Sequence, residues 1–147
     1  METNENLMYQ INYLIGDLHV LKIKLQNFKW NSKCDDFFII NPMIDGIIKK
    51  INQEIDSLVE RVFEKNERPY AALNVYLKHT IINEVESKPY SGKEIILYLT
   101  KDFKLLLSEV NIFIKIAQDI DDNETAFILS KIASLYEKYI WMLGGLS

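Results

Sequence analysis

NPMIDGIIKKINQEIDSLVERVFEK, residues 41–65, carries two stripes at helical spacing. Ile44, Ile48, Ile51, Ile55, Leu58 and Val62 recur every three or four residues, so they share one side of an α-helix and form a seam for other helices. Beside that seam runs an acidic line. Asp56 and Glu60 are four apart and share a face, Asp45 sits about 20° away around the axis, and Asn41 extends the line by a turn. Carboxylates gathered on one face of a bundle helix are the raw material of a metal site. They are equally the makings of a solvated face, with Arg61 and Lys65 nearby. Spacing alone leaves both readings open.

The same apolar rhythm appears three more times. Leu7, Ile11, Leu14, Leu18, Leu21, Leu25 and Phe28 make a seam before it; Ile96, Leu99, Phe103, Leu106, Val110, Phe113 and Ala117 make one after it; Ile128, Ile132, Leu135, Tyr139 and Met142 make the last. Four such stripes predict an all-α four-helix bundle. Ser91 with Glu94 reads as a capping box opening the third long helix, Asp121 and Asp122 as caps for the fourth, and Gly144-Gly145 as its end. Between the second and third long helices lies the stretch 65–90, too long to be structureless in a compact domain. Its apolar set Leu73, Tyr76, Leu77 and Ile81 predicts a short extra helix crossing the bundle. Asn41-Pro42 suits an N-cap and first turn, so the second helix either starts there rather than at Asp36 or starts earlier and bends. With no internal repeat, linker or low-complexity segment, residues 1–147 are read as one domain.

Composition narrows the function classes. Five Gly and three Pro are too few for a turn-rich all-β fold. A lone cysteine, Cys34, excludes an intrachain disulfide and fits an inert thiol in a reducing compartment. The polar, acidic start is unlike a signal peptide, and no apolar run is long enough to span a membrane, so the expected location is cytoplasmic. Net charge is −4, with Lys and Arg dispersed and no basic tail, which gives nucleic acid little to bind.

Gln26-Asn27-Phe28-Lys29-Trp30-Asn31, then Phe37-Phe38, then Ile55-Asp56-Ser57-Leu58-Val59-Glu60-Arg61 resembles the signature of the Dps mini-ferritins. That signature runs H-N-x-H-W-N, a spacer with an F-F pair, L-H-x-x-x-[DE], and x-I-D-x-[IL]-A-E-R, and the register from Trp30 to Arg61 fits without a gap. Thr125-Ala126-Phe127-Ile128-Leu129 is similar to the family's T-A-D-I-L, and Glu137 to Met142 to its E-K-x-x-W-M. The resemblance implies a ferritin-like bundle that assembles into a hollow homo-dodecamer. It also implies ferroxidase centres at two-fold interfaces, where Fe2+ is bound, oxidised (typically by peroxide) and passed to a mineral core. Twelve copies would carry about −48, a field that attracts cations and repels DNA.

Carried over by position, the family's acid ligand falls on Asp45 and the neighbouring subunit's pair on Asp56 and Glu60. The two histidines fall on Lys29 and Asn41, while Trp30 keeps the aromatic beside the site. Three oxygen ligands survive and both imidazoles are gone. A lysine ammonium only donates and repels a cation, and Asn41 offers no more than a neutral carbonyl oxygen. Lys29 is therefore expected to form an intersubunit salt bridge with Asp56 or Glu60, standing where the metal stood. Asp119, Asp121, Asp122 and Glu124 fall where the family places its three-fold pores, and they also suit helix capping; the pore-side aspartate of T-A-D-I-L is Phe127 here. His19 and His79 read as surface or structural histidines.

Three functions follow: a mini-ferritin-like shell with a weak or absent oxidation site; an active ferroxidase holding iron through Asp45, Asp56, Glu60 and Asn41; or a non-metal helical bundle acting as an interaction or DNA-associated module.

Overall fold

The computed structural model describes residues 4–33, 35 and 37–146, so the expectation for Cys34 lies outside the described residues. In chain order the helices are α1 (Asn4–Asn31), α2 (Phe37–Glu64), the short α3 (Leu73–His79), α4 (Gly92–Asp119) and α5 (Asn123–Leu146). The four long ones form an all-α bundle, and α3 lies in the connection between α2 and α4, as expected. Among the described residues no helix is long and apolar enough to cross a membrane.

The seams of α1 and α4 are buried residue for residue, from Leu7 to Phe28 and from Ile96 to Ala117. α5 differs. Its buried face is Ala126, Leu129, Ile132, Ala133, Tyr136 and Leu143, about one residue rotated from the expected stripe, and Met142 is exposed. This helix is apolar on more than one side, with Phe127 and Trp141 also exposed, so periodicity cannot choose its core face.

α2 begins at Phe37, upstream of Pro42. The proline's missing N–H would have paired with the Phe38 carbonyl, and Phe38 sits at the exposed helix start, 86% accessible, where water can serve that group. At the other end α5 runs through Gly144-Gly145 to Leu146; neither glycine takes a positive φ, so neither makes the left-handed turn that would stop a helix.

The corners close as the turn chemistry requires. Asn66 and Asp121, at φ 62° and 58°, are left-handed residues ending α2 and α4. Behind them the Glu67 and Asp122 amides donate back to the Val62 and Ala117 carbonyls at 3.1 and 2.8 Å. The capping box of α4 is formed: the Glu94 amide donates to Ser91 Oγ and the Ser91 amide to Glu94 Oε1.

The long connection is tied down by polar side chains of α1. Asn12 accepts from the Tyr70 amide and donates to the Arg68 carbonyl; Asp17 accepts from Thr80 Oγ1 and the Ile81 amide at 2.6 and 3.0 Å; Asn27 donates to the Val85 and Glu86 carbonyls. Tyr76 of α3 packs on Gly16, where an added Cβ would lie 2.8 Å from the ring, so only glycine admits this approach. Of the apolar set expected to dock α3, Tyr76 is buried and Ile81 packs on the core, whereas Leu73 and Leu77 point to solvent. His19 stacks on Tyr76 and His79 on Tyr13, the structural uses expected of them.

Candidate functional site

The end of α1 and the start of α2 bring Lys29 and Asp45 together. Lys29 Nζ donates to Asp45 Oδ1 at 2.6 Å, with the two side chains 32% and 57% exposed. Asn41, half-buried, accepts a long 3.4 Å hydrogen bond from Ser32 Oγ, and Trp30 beside them is 75% exposed. The corner is pinned from below, because the Tyr90 amide donates to the Asn31 carbonyl and the Lys33 amide to the Tyr90 carbonyl, both at 2.9 Å.

Asp56 and Glu60 are not part of this cluster. They lie eleven and fifteen residues beyond Asp45 on the same helix, a separation of about 16 and 22 Å along its axis. Both are exposed, without an ion-pair partner among the described residues. Among the described residues no three His, Cys, Asp or Glu side chains converge closely enough to hold a metal. The chain therefore holds an ion-paired corner near Lys29 and, apart from it on α2, an open pair of carboxylates at Asp56 and Glu60.

The acids at the α4–α5 corner divide in the same way. Asp122 is buried, accepts from the Thr125 amide and hydroxyl, and meets Arg61 Nη2 at 2.8 Å and Lys65 Nζ at 3.5 Å. Burial pushes its carboxyl upward, but the hydrogen bonds from Thr125 and Arg61 outweigh that and hold it below its ordinary value. It caps α5 and ties it to α2. Asp119, Asp121 and Glu124 are exposed, with Asp119 3.6 Å from Lys115. Phe127 is 56% exposed and carries Lys131 Nζ over its ring at 4.5 Å.

Four buried charges escaped the sequence reading. Lys24 meets Asp102 at 2.8 Å between α1 and α4. Burial raises the Asp17 carboxyl to about 6. Burial also raises Glu54 to about 7; its Oε2 accepts from Tyr136 while Oε1 has no partner. A signal was present, since each lies three residues after one seam residue and four before another (Leu14 and Leu21, Leu21 and Phe28, Ile51 and Leu58, Leu99 and Leu106) and so shares their face.

A four-helix bundle with a short helix in one long crossover connection defines the ferritin class of four-helix protein. The family described as ferritin-like domain matches residues 8–146. The DNA protection during starvation protein of Brevibacillus brevis is 31% identical over 133 residues, covering 90% of this chain and 89% of that one. The crystal structure of a Dps protein from Bacillus brevis superposes with a TM-score of 0.93 at 29% identity, covering 99% of both chains. The Dps protein of Vibrio cholerae O1, described as one of a broad superfamily of ferritin-like diiron-carboxylate proteins, superposes with a TM-score of 0.92 at 25% identity, covering 97% of this chain and 89% of that one. This chain belongs to the ferritin-like family, and its relatives place it with the Dps-like mini-ferritins.

Proposed function

We propose that this chain, as one ferritin-like domain over residues 1–147, builds a cytoplasmic mini-ferritin shell that sequesters iron and protects against oxidative stress, with its own oxidation centre largely silenced. The observation that carries the reading is the Lys29–Asp45 ion pair at 2.6 Å. An ammonium bonded to the one acid that the corner supplies occupies the ligand position, donates where a metal needs an acceptor, and repels Fe2+. Within its own subunit the lysine pairs with Asp45, and in the assembly the neighbour's Asp56 and Glu60, expected from the sequence as its partners, would meet this pair.

Assembly follows from the exposed apolar side chains at the same corner and along α5: Trp30, Phe37, Phe38, Ile39, Trp141 and Met142. A monomer rarely leaves so much apolar surface in water. We read these as buried in a homo-oligomer, a dodecamer by family, in which the Asp56–Glu60 half-site of one subunit meets the Lys29–Asp45 half-site of its neighbour. Asp119, Asp121 and Glu124 would then line the route by which cations enter, narrowed by Phe127. A net charge of −4 with Lys and Arg dispersed argues against DNA coating.

A second reading has its own support. Asp56 and Glu60 are exposed and unpaired among the described residues, ready to take Fe2+ as substrate together with a displaced Asp45 and Asn41. Ferrous oxidation by the purified assembly, with peroxide and with oxygen separately, decides between the two. The silenced centre predicts a rate no faster than buffer for the wild type and for Asp56→Ala/Glu60→Ala, and a gain of at least ten-fold in Lys29→His/Asn41→His. Wild-type oxidation that Asp56→Ala/Glu60→Ala abolishes would establish the active ferroxidase instead.

A further inference from the structure

Between α2 and α5 lies a groove of about 620 Å³ that contains none of the iron-site positions. Lys50 and Ser57 line it from α2, Lys131, Ser134 and Lys138 from α5, and Glu54 forms part of its wall. Three ammonium groups on one groove reverse the sign of a chain whose net charge is −4. Among the described residues neither Lys50 nor Lys138 reaches a carboxylate at ion-pair distance, and Lys131 rests on the Phe127 ring. Lys50 lies near enough to Glu54 to favour its ionised form, so three ammonium groups share one carboxylate, and the net positive charge left along a concave surface is the footprint of an anion site.

Glu54 narrows the choice of anion. Its Oε2 is occupied by the Tyr136 hydroxyl at 2.8 Å, and its buried Oε1 accepts from nothing. Buried acceptors are normally satisfied; Oε1 is closed to solvent as the side chain stands, and a turn of the carboxylate about its terminal bond is what would present an acceptor to a ligand that brings a donor into the groove. An acceptor beside three ammonium groups fits an anion that itself carries a proton.

We propose that this groove binds inorganic phosphate, with Lys50, Lys131 and Lys138 neutralising its charge, the Ser57 and Ser134 hydroxyls donating to its oxygens, and Glu54 Oε1 accepting its P–OH. Sulfate has the same shape and charge but no proton at neutral pH, so it would set an oxygen against the Glu54 carboxylate. The phosphodiesters of a nucleic acid likewise lack the proton, and the remaining acidic surface opposes a long polyanion. The site is independent of whether the chain oxidises iron.

Titration calorimetry of the purified assembly at pH 8 and fixed ionic strength, with sodium phosphate, sodium sulfate and a single-stranded oligonucleotide, tests it. Phosphate should bind at about one per chain and at least ten-fold more tightly than sulfate. Lys50→Met/Lys138→Met should weaken phosphate at least ten-fold, and Glu54→Gln should erase the preference by admitting sulfate. If the double variant does not assemble, Lys131→Met alone should weaken phosphate about three-fold or more, while Lys115→Met, whose lysine pairs with Asp119 outside the groove, leaves it unchanged. Equal affinity for phosphate and sulfate, indifference to the groove lysines, or binding of the oligonucleotide without phosphate would each overturn the proposal.

Discussion

Two lysines of α1, five residues apart, each make an ion pair, and the pairs have little in common beyond their length. Lys24 meets Asp102 at 2.8 Å with the side chains 2% and 4% exposed; Lys29 meets Asp45 at 2.6 Å with 32% and 57% exposed. Distance does not rank them; solvent does. In the interior a charge that loses its partner has no water to replace it, so the cost of breaking the pair far exceeds what the pair contributes. At the surface water and salt already share the work, and an exposed pair contributes little. Lys24–Asp102 therefore belongs to the fold. Lys29–Asp45 is dispensable to the fold of the chain, and on the proposed function its consequence lies in what it would deny to a metal.

That contrast is easiest to break at the buried pair. Lys24→Met or Asp102→Ala should each lose about 3–5 kcal/mol in chemical denaturation, whereas Lys24→Met/Asp102→Leu should recover most of it by replacing charges with packing. A single variant within 1 kcal/mol of wild type, on the order of a surface pair, would mean that water reaches the site.

Next in size is a pH effect from the neighbouring buried acid. Asp17 titrates near 6 in the folded chain against 3.8 ordinarily, because burial disfavours its charged form. A raised folded value means that the native state holds the proton more tightly, so this contribution is fully present below pH 3.8 and is lost as pH rises through about 6. Wild-type stability should lose on the order of 2–3 kcal/mol from this group across that window. Asp17→Asn, whose amide oxygen can still accept from Thr80 and Ile81, should flatten the slope. An unchanged slope would remove Asp17 from the account.

The smallest effect is expected at the exposed pair. Lys29→Met should change the stability of the separated subunit by no more than about 1 kcal/mol, with any loss shrinking as salt is added. A loss as large as that of Lys24→Met in the separated subunit would mean that Lys29 is structural within its own chain.

Much of this was legible in the chain. The seams of α1 and α4 are set by periodicities with one apolar face each, and both were read without error. The capping box at Ser91 and the short helix in the long connection were equally readable, since both depend on local chemistry. The α5 face was misread because Phe127, Trp141 and Met142 make a second apolar side, which periodicity cannot tell from the first. At the proposed site, residue identity gives Lys29 and Asn41 rather than histidines, but not the carboxylate that Lys29 meets. Asp45, Asp56 and Glu60 share a helix face, and only their places on α2 show that, of the three, Asp45 is the one that reaches Lys29 within the same chain.

By itself the sequence determined the number and order of the helices and the capping box that opens α4, because these follow from spacings within a few turns of one helix. Tertiary structure alone decided which charges are buried, that Asp122 serves the α5 cap and Arg61 together, and that Glu54 keeps an oxygen without a partner beside a lysine-lined groove. Each of those depends on which side chain of another helix, tens of residues away, arrives opposite, and on whether water is excluded when it does.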